Sequence, residues 1–195
     1  MTGTLFETPR LRLREFAMDD VDRLTALDGD PEVMRHISHG IATPREMFVE
    51  DVLPHWLQLY AQPRPIGFWA VELRETGRFI GWFHLRPDRF SPPEPELGYR
   101  LVRRVWGRGL ATEGGRALVA AAFERLACDS ISARTLVVNV ASQRVMENCG
   151  LRFEHEFVYP ASMLPDWSEE ERRAVKFSIT RGQWQRSERA PAPAR

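Results

Sequence analysis

The sequence predicts a mixed α/β (α+β) domain in which helices flank a largely antiparallel sheet. Three observations carry this. Apolar period-two runs at Phe68–Arg74 and Phe79–Leu85, split by Thr76-Gly77, spell an antiparallel hairpin. Helical runs with start signals fall between residues 19 and 61 and again at Leu110–Leu126. The order β-α-α-α-β-β-β-α-β-α-β-β lacks the regular βαβ alternation of a parallel sheet.

Thr8–Phe16 reads as the first strand, because Leu11 and Leu13 alternate with arginines. Asp19-Asp20 opens a helix with Val21, Leu24 and Leu27 on one face, and Asp30-Pro31 opens a second, Pro31–Ile37. A longer helix follows, with Thr43 as cap, Pro44 at its first position and Glu46 in its first turn. Its stripe is Phe48, Val52, Trp56, Leu59 and Tyr60, and Pro54 is expected to kink it. After the hairpin come a proline-rich loop at 87–95 and a strand at Glu96–Arg103. Ser132–Val138 reads as a strand and Ala141–Asn148 as a helix that stops before Gly150, a residue at ease in the left-handed region. Leu151–Tyr159 and Ala174–Thr180 are the last strands. Residues 1–184 are expected to form one domain and 185–195 a disordered tail.

Composition narrows the function. In 195 residues, 27 Lys+Arg balance 27 Asp+Glu, so bulk charge gives no reason to expect binding to nucleic acid or a membrane surface. Cys128 and Cys149 lack disulfide-framework or metal-site spacing, and the five histidines form no metal pattern, so no metal is expected. The start of the chain has no signal-peptide pattern and no run approaches the ~18 apolar residues of a membrane span, so a cytoplasmic protein is expected.

The most informative stretch is Arg104-Val-Trp-Gly107-Arg108-Gly109, between a strand and a long helix. Glycine permits close approach of backbone to an anion, the helix start offers unpaired N–H groups, and Arg104 and Arg108 add charge. Two other phosphate loops fail: no Gly-Lys-Ser/Thr exists, and Thr112 stands where a dinucleotide fingerprint needs its third glycine.

Arg104-x-x-Gly107-x-Gly109, followed by Ala111-Thr112-Glu113, resembles the acyl-CoA loop of the GNAT (GCN5-related N-acetyltransferase) superfamily. Tyr99…Trp106-Gly-Arg-Gly-Leu-Ala-Thr-Glu is similar to its Rim-like branch, which includes ribosomal-protein N-terminal acetyltransferases. Asn139-x-x-Ser142…Met146…Gly150-Leu151 resembles a later block of the same family. The resemblance implies a mixed, mostly antiparallel sheet splayed between the 96–103 and 132–138 strands, with acetyl-CoA in the gap. It implies that Leu101, Val102 and Arg103 pair with pantetheine and that the Arg104–Leu110 amides meet the pyrophosphate. Gly107, Arg108 and Gly109 lie in that loop, Ala111 and Thr112 in the turn behind it, and Asn139 and Ser142 face the cofactor near the thioester.

Direct acetyl transfer to an amine needs a proton acceptor, an oxyanion donor and a donor to the departing thiolate. By resemblance these are Glu96, a backbone N–H near Val102, and Ser142, because Met146 stands where many members carry tyrosine. Glu113 reads as a first-turn partner of the helix dipole or a structural hydrogen-bonder, not a catalyst. The acceptor site is expected from the helices between 19 and 61, the 86–95 loop and the 155–172 segment. Trp56, Tyr60, Trp69, Trp82, Phe90, Tyr159 and Trp167 are its aromatic material, and Asp166, Glu169, Glu170 and Glu171 could attract a cation. Protein N-termini, polyamines, aminoglycosides and amino-acid-like metabolites all fit as acceptors, and a homodimer is compatible with the pattern. A CoA-binding GNAT-fold module without turnover is the second class of function.

Overall fold

A computed structural model describes residues 3–61 and 65–189. Its eight strands are β1 (Thr4–Glu7), β2 (Leu11–Glu15), β3 (Gly67–Leu73), β4 (Phe79–Pro87), β5 (Pro95–Leu101), β6 (Ser130–Leu136), β7 (Arg152–Val158) and β8 (Arg173–Thr180). They form one sheet, ordered β1-β2-β3-β4-β5-β6-β8-β7. All neighbours run antiparallel except β5 and β6. Before β3 come α1 (Val21–Asp28), α2 (Pro31–Ser38), α3 (Arg45–Met47) and α4 (Leu53–Gln58). The helix α5 (Leu110–Arg125) links β5 to β6, α6 (Val140–Asn148) links β6 to β7, and α7 (Arg181–Arg189) follows β8. Among the described residues no helix is long and apolar enough to cross a membrane.

Alternation along β4 divides the core. Phe83 and Leu85 join one apolar cluster with Leu110, Leu118, Phe123 and Met146 beneath α5 and α6. Trp82 joins the other, with Leu24, Leu27, Phe48, Trp56 and Phe68 beneath α1 to α4. Phe83 and Trp69 are fully buried, each worth roughly 2–3 kcal/mol of transfer free energy.

Five sequence expectations change. The strand expected at Thr8–Phe16 is β2, and an unexpected β1 precedes it; the two are joined at Thr8-Pro9-Arg10, where Thr8 N–H donates to Leu11 O at 2.8 Å and Leu11 N–H to Thr8 Oγ1 at 3.0 Å. Thr43 caps nothing; its hydroxyl donates to Asp28 Oδ2 at 2.6 Å, and Pro44 holds the cap position. The bend expected at Pro54 takes the form of a π-helical turn, Phe48–Val52, between α3 and α4, because proline cannot donate the i→i−4 bond. Residues 185–189 are helical rather than disordered, and 190–195 lie outside the described residues. The helix α7 is anchored by Arg181, whose guanidinium donates to Phe123 O, Leu126 O and Cys128 O around the end of α5. The strand expected at Glu96–Arg103 ends at Leu101, and Arg103–Val105 is a 3₁₀ turn.

Candidate functional site

The parallel pair β5 and β6 meets at one register position, Glu96↔Ser132, and parts beyond it. Val102 N–H donates to Ile80 O at 2.9 Å, so the even residues of β5 bond toward β4. By antiparallel alternation the N–H groups of Tyr99 and Leu101 point the other way, into the gap. This corrects one expectation. Val102 has no free N–H for an oxyanion or for pantetheine, and its carbonyl is taken by Val105 N–H. Tyr99 and Leu101 offer the open amides instead.

At the mouth of the gap, Gly107 (φ 72°) and Gly109 (φ 73°) sit in the left-handed region, which side chains resist. Gly109 is the N-cap of α5 and provides no side-chain cap, so the N–H groups of Leu110, Ala111 and Thr112 face outward without a side-chain acceptor. The loop is held from two sides. Trp106 Nε1 donates to Leu101 O at 2.8 Å. Arg10 Nη1 donates to Arg108 O at 2.9 Å while its Nε pairs with Glu113 at 2.5 Å. Glu113 also accepts from Thr8 Oγ1 and Arg10 N–H. Burial pushes the Glu113 carboxyl up, but these hydrogen bonds together hold it below the usual range.

Arg103 and Arg104 line an open cleft of about 510 Å³ with Val102, against Ala26 and Leu27 of α1, Asp30 at the N-cap of α2 and Val33 within it. Arg104 donates to Phe79 O at 3.1 Å. Among the described residues no ion pair engages Arg103, Arg104 or Arg108, which leaves their charge for phosphate. Diverging strands, left-handed glycines, an uncapped helix start and free arginines fit a nucleotide-bearing thioester.

The proposed catalytic residues flank the gap from opposite faces. Glu96, 8% exposed, shares its face with α1 and α2, and Arg86 Nη2 stands 2.6 Å from its Oε2. Burial raises the Glu96 carboxyl, and the opposing pull of Arg86 and Arg89 does not cancel it. On the α6 side, Asn139 caps the helix, its Oδ1 accepting from Ser142 N–H at 3.2 Å. Tyr99 hydroxyl donates to Ser142 Oγ at 3.5 Å, which leaves the serine proton free for another acceptor. Burial pushes Tyr99 up to about 12, so it keeps its own proton. Met146 is core, 4% exposed.

The expected acceptor aromatics separate. Trp56, Trp69 and Trp82 are buried, and Tyr60 hydroxyl bridges Phe16 N–H and Phe68 O. Phe90 and Tyr159 line the Glu96 side with Phe157. Trp167 stacks on His39 at 3.7 Å. Glu170 is held by Arg173, and Glu171 by Ser168 and His39, so these acids are engaged locally. Among the described residues no His/Cys/Asp/Glu cluster could hold a metal. Sequence reasoning missed Arg86, the role of Trp106, and Tyr99 as the partner of Ser142. Only Trp106 and Tyr99 had a signal, their place in the motif.

The family model for the acetyltransferase (GNAT) domain matches residues 10–152. The chain is 34% identical over 192 residues to FsC-acetyl coenzyme A-N(2)-transacetylase of Aspergillus fumigatus, covering 93% of this chain and 78% of that one. In fold it is similar to a GNAT-family acetyltransferase from Bacillus anthracis, with TM-score 0.72, 20% identity, and 93% and 99% of the two chains covered. It is likewise similar to aminoglycoside acetyltransferase AAC(6')-Ib in complex with coenzyme A, with TM-score 0.72, 18% identity, and 91% and 99% covered. The chain belongs to the GNAT family of acetyltransferases, which take the acetyl group from acetyl-CoA.

Proposed function

We propose that this acetyltransferase moves the acetyl group directly to a primary amine, with Glu96 and Ser142 on the two sides of the β5/β6 gap. The carrying observation is a buried carboxylate of raised proton affinity at the one point where β5 and β6 still touch. Glu96 accepts the proton of the attacking amine, directly or through one water. The Tyr99 or Leu101 N–H donates to the oxyanion. Ser142, oriented by Tyr99, donates to the departing sulfur. The exposed amides of Leu101 and the Gly107–Thr112 turn, with Arg103, Arg104, Arg108 and Asn139, hold the CoA end. The name of the Aspergillus relative, an N(2)-transacetylase, supports nitrogen as the acceptor atom.

Ser142→Ala tests the assignment. Turnover should fall roughly 100-fold, the low end of the range for a positioned proton donor, while acetyl-CoA affinity by titration calorimetry stays within about twofold. Unchanged turnover in the folded variant would remove Ser142 from the chemistry.

A further inference from the structure

The face beneath α1 and α2 carries more positive charge than transfer chemistry requires. Each acid facing the gap is matched by one arginine: Glu96 by Arg86, Asp28 by Arg100 and Asp88 by Arg134. Two arginines are left over. Among the described residues neither Arg89 nor Arg172 has a carboxylate partner. Arg89 sits in the β4–β5 loop between Asp88, which accepts from Ser132 of β6, and Phe90, whose ring packs on Tyr159 at 6.0 Å, and its charge is felt at Glu96. Arg172 lies opposite Tyr159, which donates its N–H to Arg172 O at 3.0 Å, so both side chains share one face. Its Nη1 reaches Tyr159 O, and its buried Nε has no partner.

His84 makes the same point from deeper in the site. It is 8% exposed, lies over Gly98 so closely that a Cβ there would come within 2.5 Å of the ring, and has no partner for either ring nitrogen. Burial and the nearby arginines keep it neutral, with one N–H donor and one bare nitrogen. A buried polar group with no protein partner is costly unless a ligand or water completes it.

We infer that the acceptor is a small amine carrying a carboxylate, its nitrogen at Glu96 and its carboxylate at Arg89 and Arg172, with His84 hydrogen-bonding the atoms between. This rests on Glu96 marking the acceptor side, as proposed above. A polycation is disfavoured on this face, because its acids are neutralised by Arg86, Arg100 and Arg134. A guanidinium suits a carboxylate through bidentate hydrogen bonds.

The test is binding, independent of turnover. The CoA-loaded protein is titrated calorimetrically with the proteinogenic amino acids, their C-terminal amides and spermidine. The expected result is at least one amino acid bound ten-fold or more tighter than its amide and than spermidine. Arg89→Gln and Arg172→Gln should each erase most of that preference while CoA affinity holds. Arg89 is exposed on a loop, so its variant tests the point even where Arg172→Gln fails to fold. Amides or spermidine binding as well as the acids, or a preference that survives Arg89→Gln, would overturn the inference. A carboxylate preference with no CoA thiol released from acetyl-CoA would uphold it and overturn direct transfer instead.

Discussion

At the residue scale the proposed chemistry turns on Glu96, where two electrostatic effects compete. Removal from water favours the neutral acid, while Arg86 at 2.6 Å favours the carboxylate. Burial wins, and the carboxyl titrates above its ordinary range. The base is active when deprotonated, so kcat/KM should rise with pH through this elevated value. Glu96→Gln should cost ~10²–10⁴ in kcat and flatten the acid limb. Arg86→Gln removes an influence that lowers the Glu96 value, so its acid limb should move to higher pH. A pH-rate profile of the three proteins decides this, and an unmoved limb in Arg86→Gln would show that another group titrates.

At the element scale, the phosphate loop depends on a turn far away in sequence. Glu113 in the first turn of α5 binds Thr8 and Arg10 between β1 and β2, and Arg10 reaches on to Arg108 O. Glu113→Ala should therefore raise KM for acetyl-CoA several-fold with little change in kcat, the pattern of lost uniform binding. It also has a stability signature. The folded carboxyl lies below its unfolded value, so its stabilisation is present above the unfolded pKa and is lost as pH falls through the folded one. Between neutral and acid pH, urea midpoints should fall more for the wild type than for Glu113→Ala. This dependence marks the limit of what the sequence conveys. Glycine pairs, caps and periodicity made α1, α2, α5, α6 and the phosphate loop legible, since each signal is local. The four residues of β1 form too short a run to stand out, and their pairing with β2 is tertiary. The polar α7 likewise depends on Arg181 reaching the end of α5. The proposed base, Glu96, stands out by its place before the motif. Its partner Arg86 does not, because the β4–β5 register crosses a proline-rich loop whose path the sequence does not reveal.

At the scale of the whole molecule, the gap proposed to admit the cofactor also weakens the sheet, whose β5–β6 ladder pairs at one register position. The β4–β5 loop answers this. Asp88 Oδ1 accepts from Phe90 and Ser91 N–H at 2.6 and 3.0 Å, which folds the loop. Its Oδ2 accepts from Ser132 Oγ at 2.8 Å and from Arg134, both on β6. Glu94 adds Ser130 Oγ at 2.6 Å and, at 3.1 Å, Lys176 of β8, the chain's one lysine. The loop is thus a polar strap from the β4–β5 half to the β6–β8 half, bridging what the backbone ladder leaves open. With Asp88 and Arg134 almost wholly buried, breaking the pair strands a charge. Asp88→Asn should cost about 3–5 kcal/mol of unfolding free energy. Arg134→Met added to it should restore part of that loss, since the stranded charge is gone even though the bridge is not rebuilt. Urea denaturation of the two variants separates the cases. A loss below about 1 kcal/mol in Asp88→Asn would mean that α5 and α6 alone hold the halves together, through the core they share with β4, β5, β6 and β8.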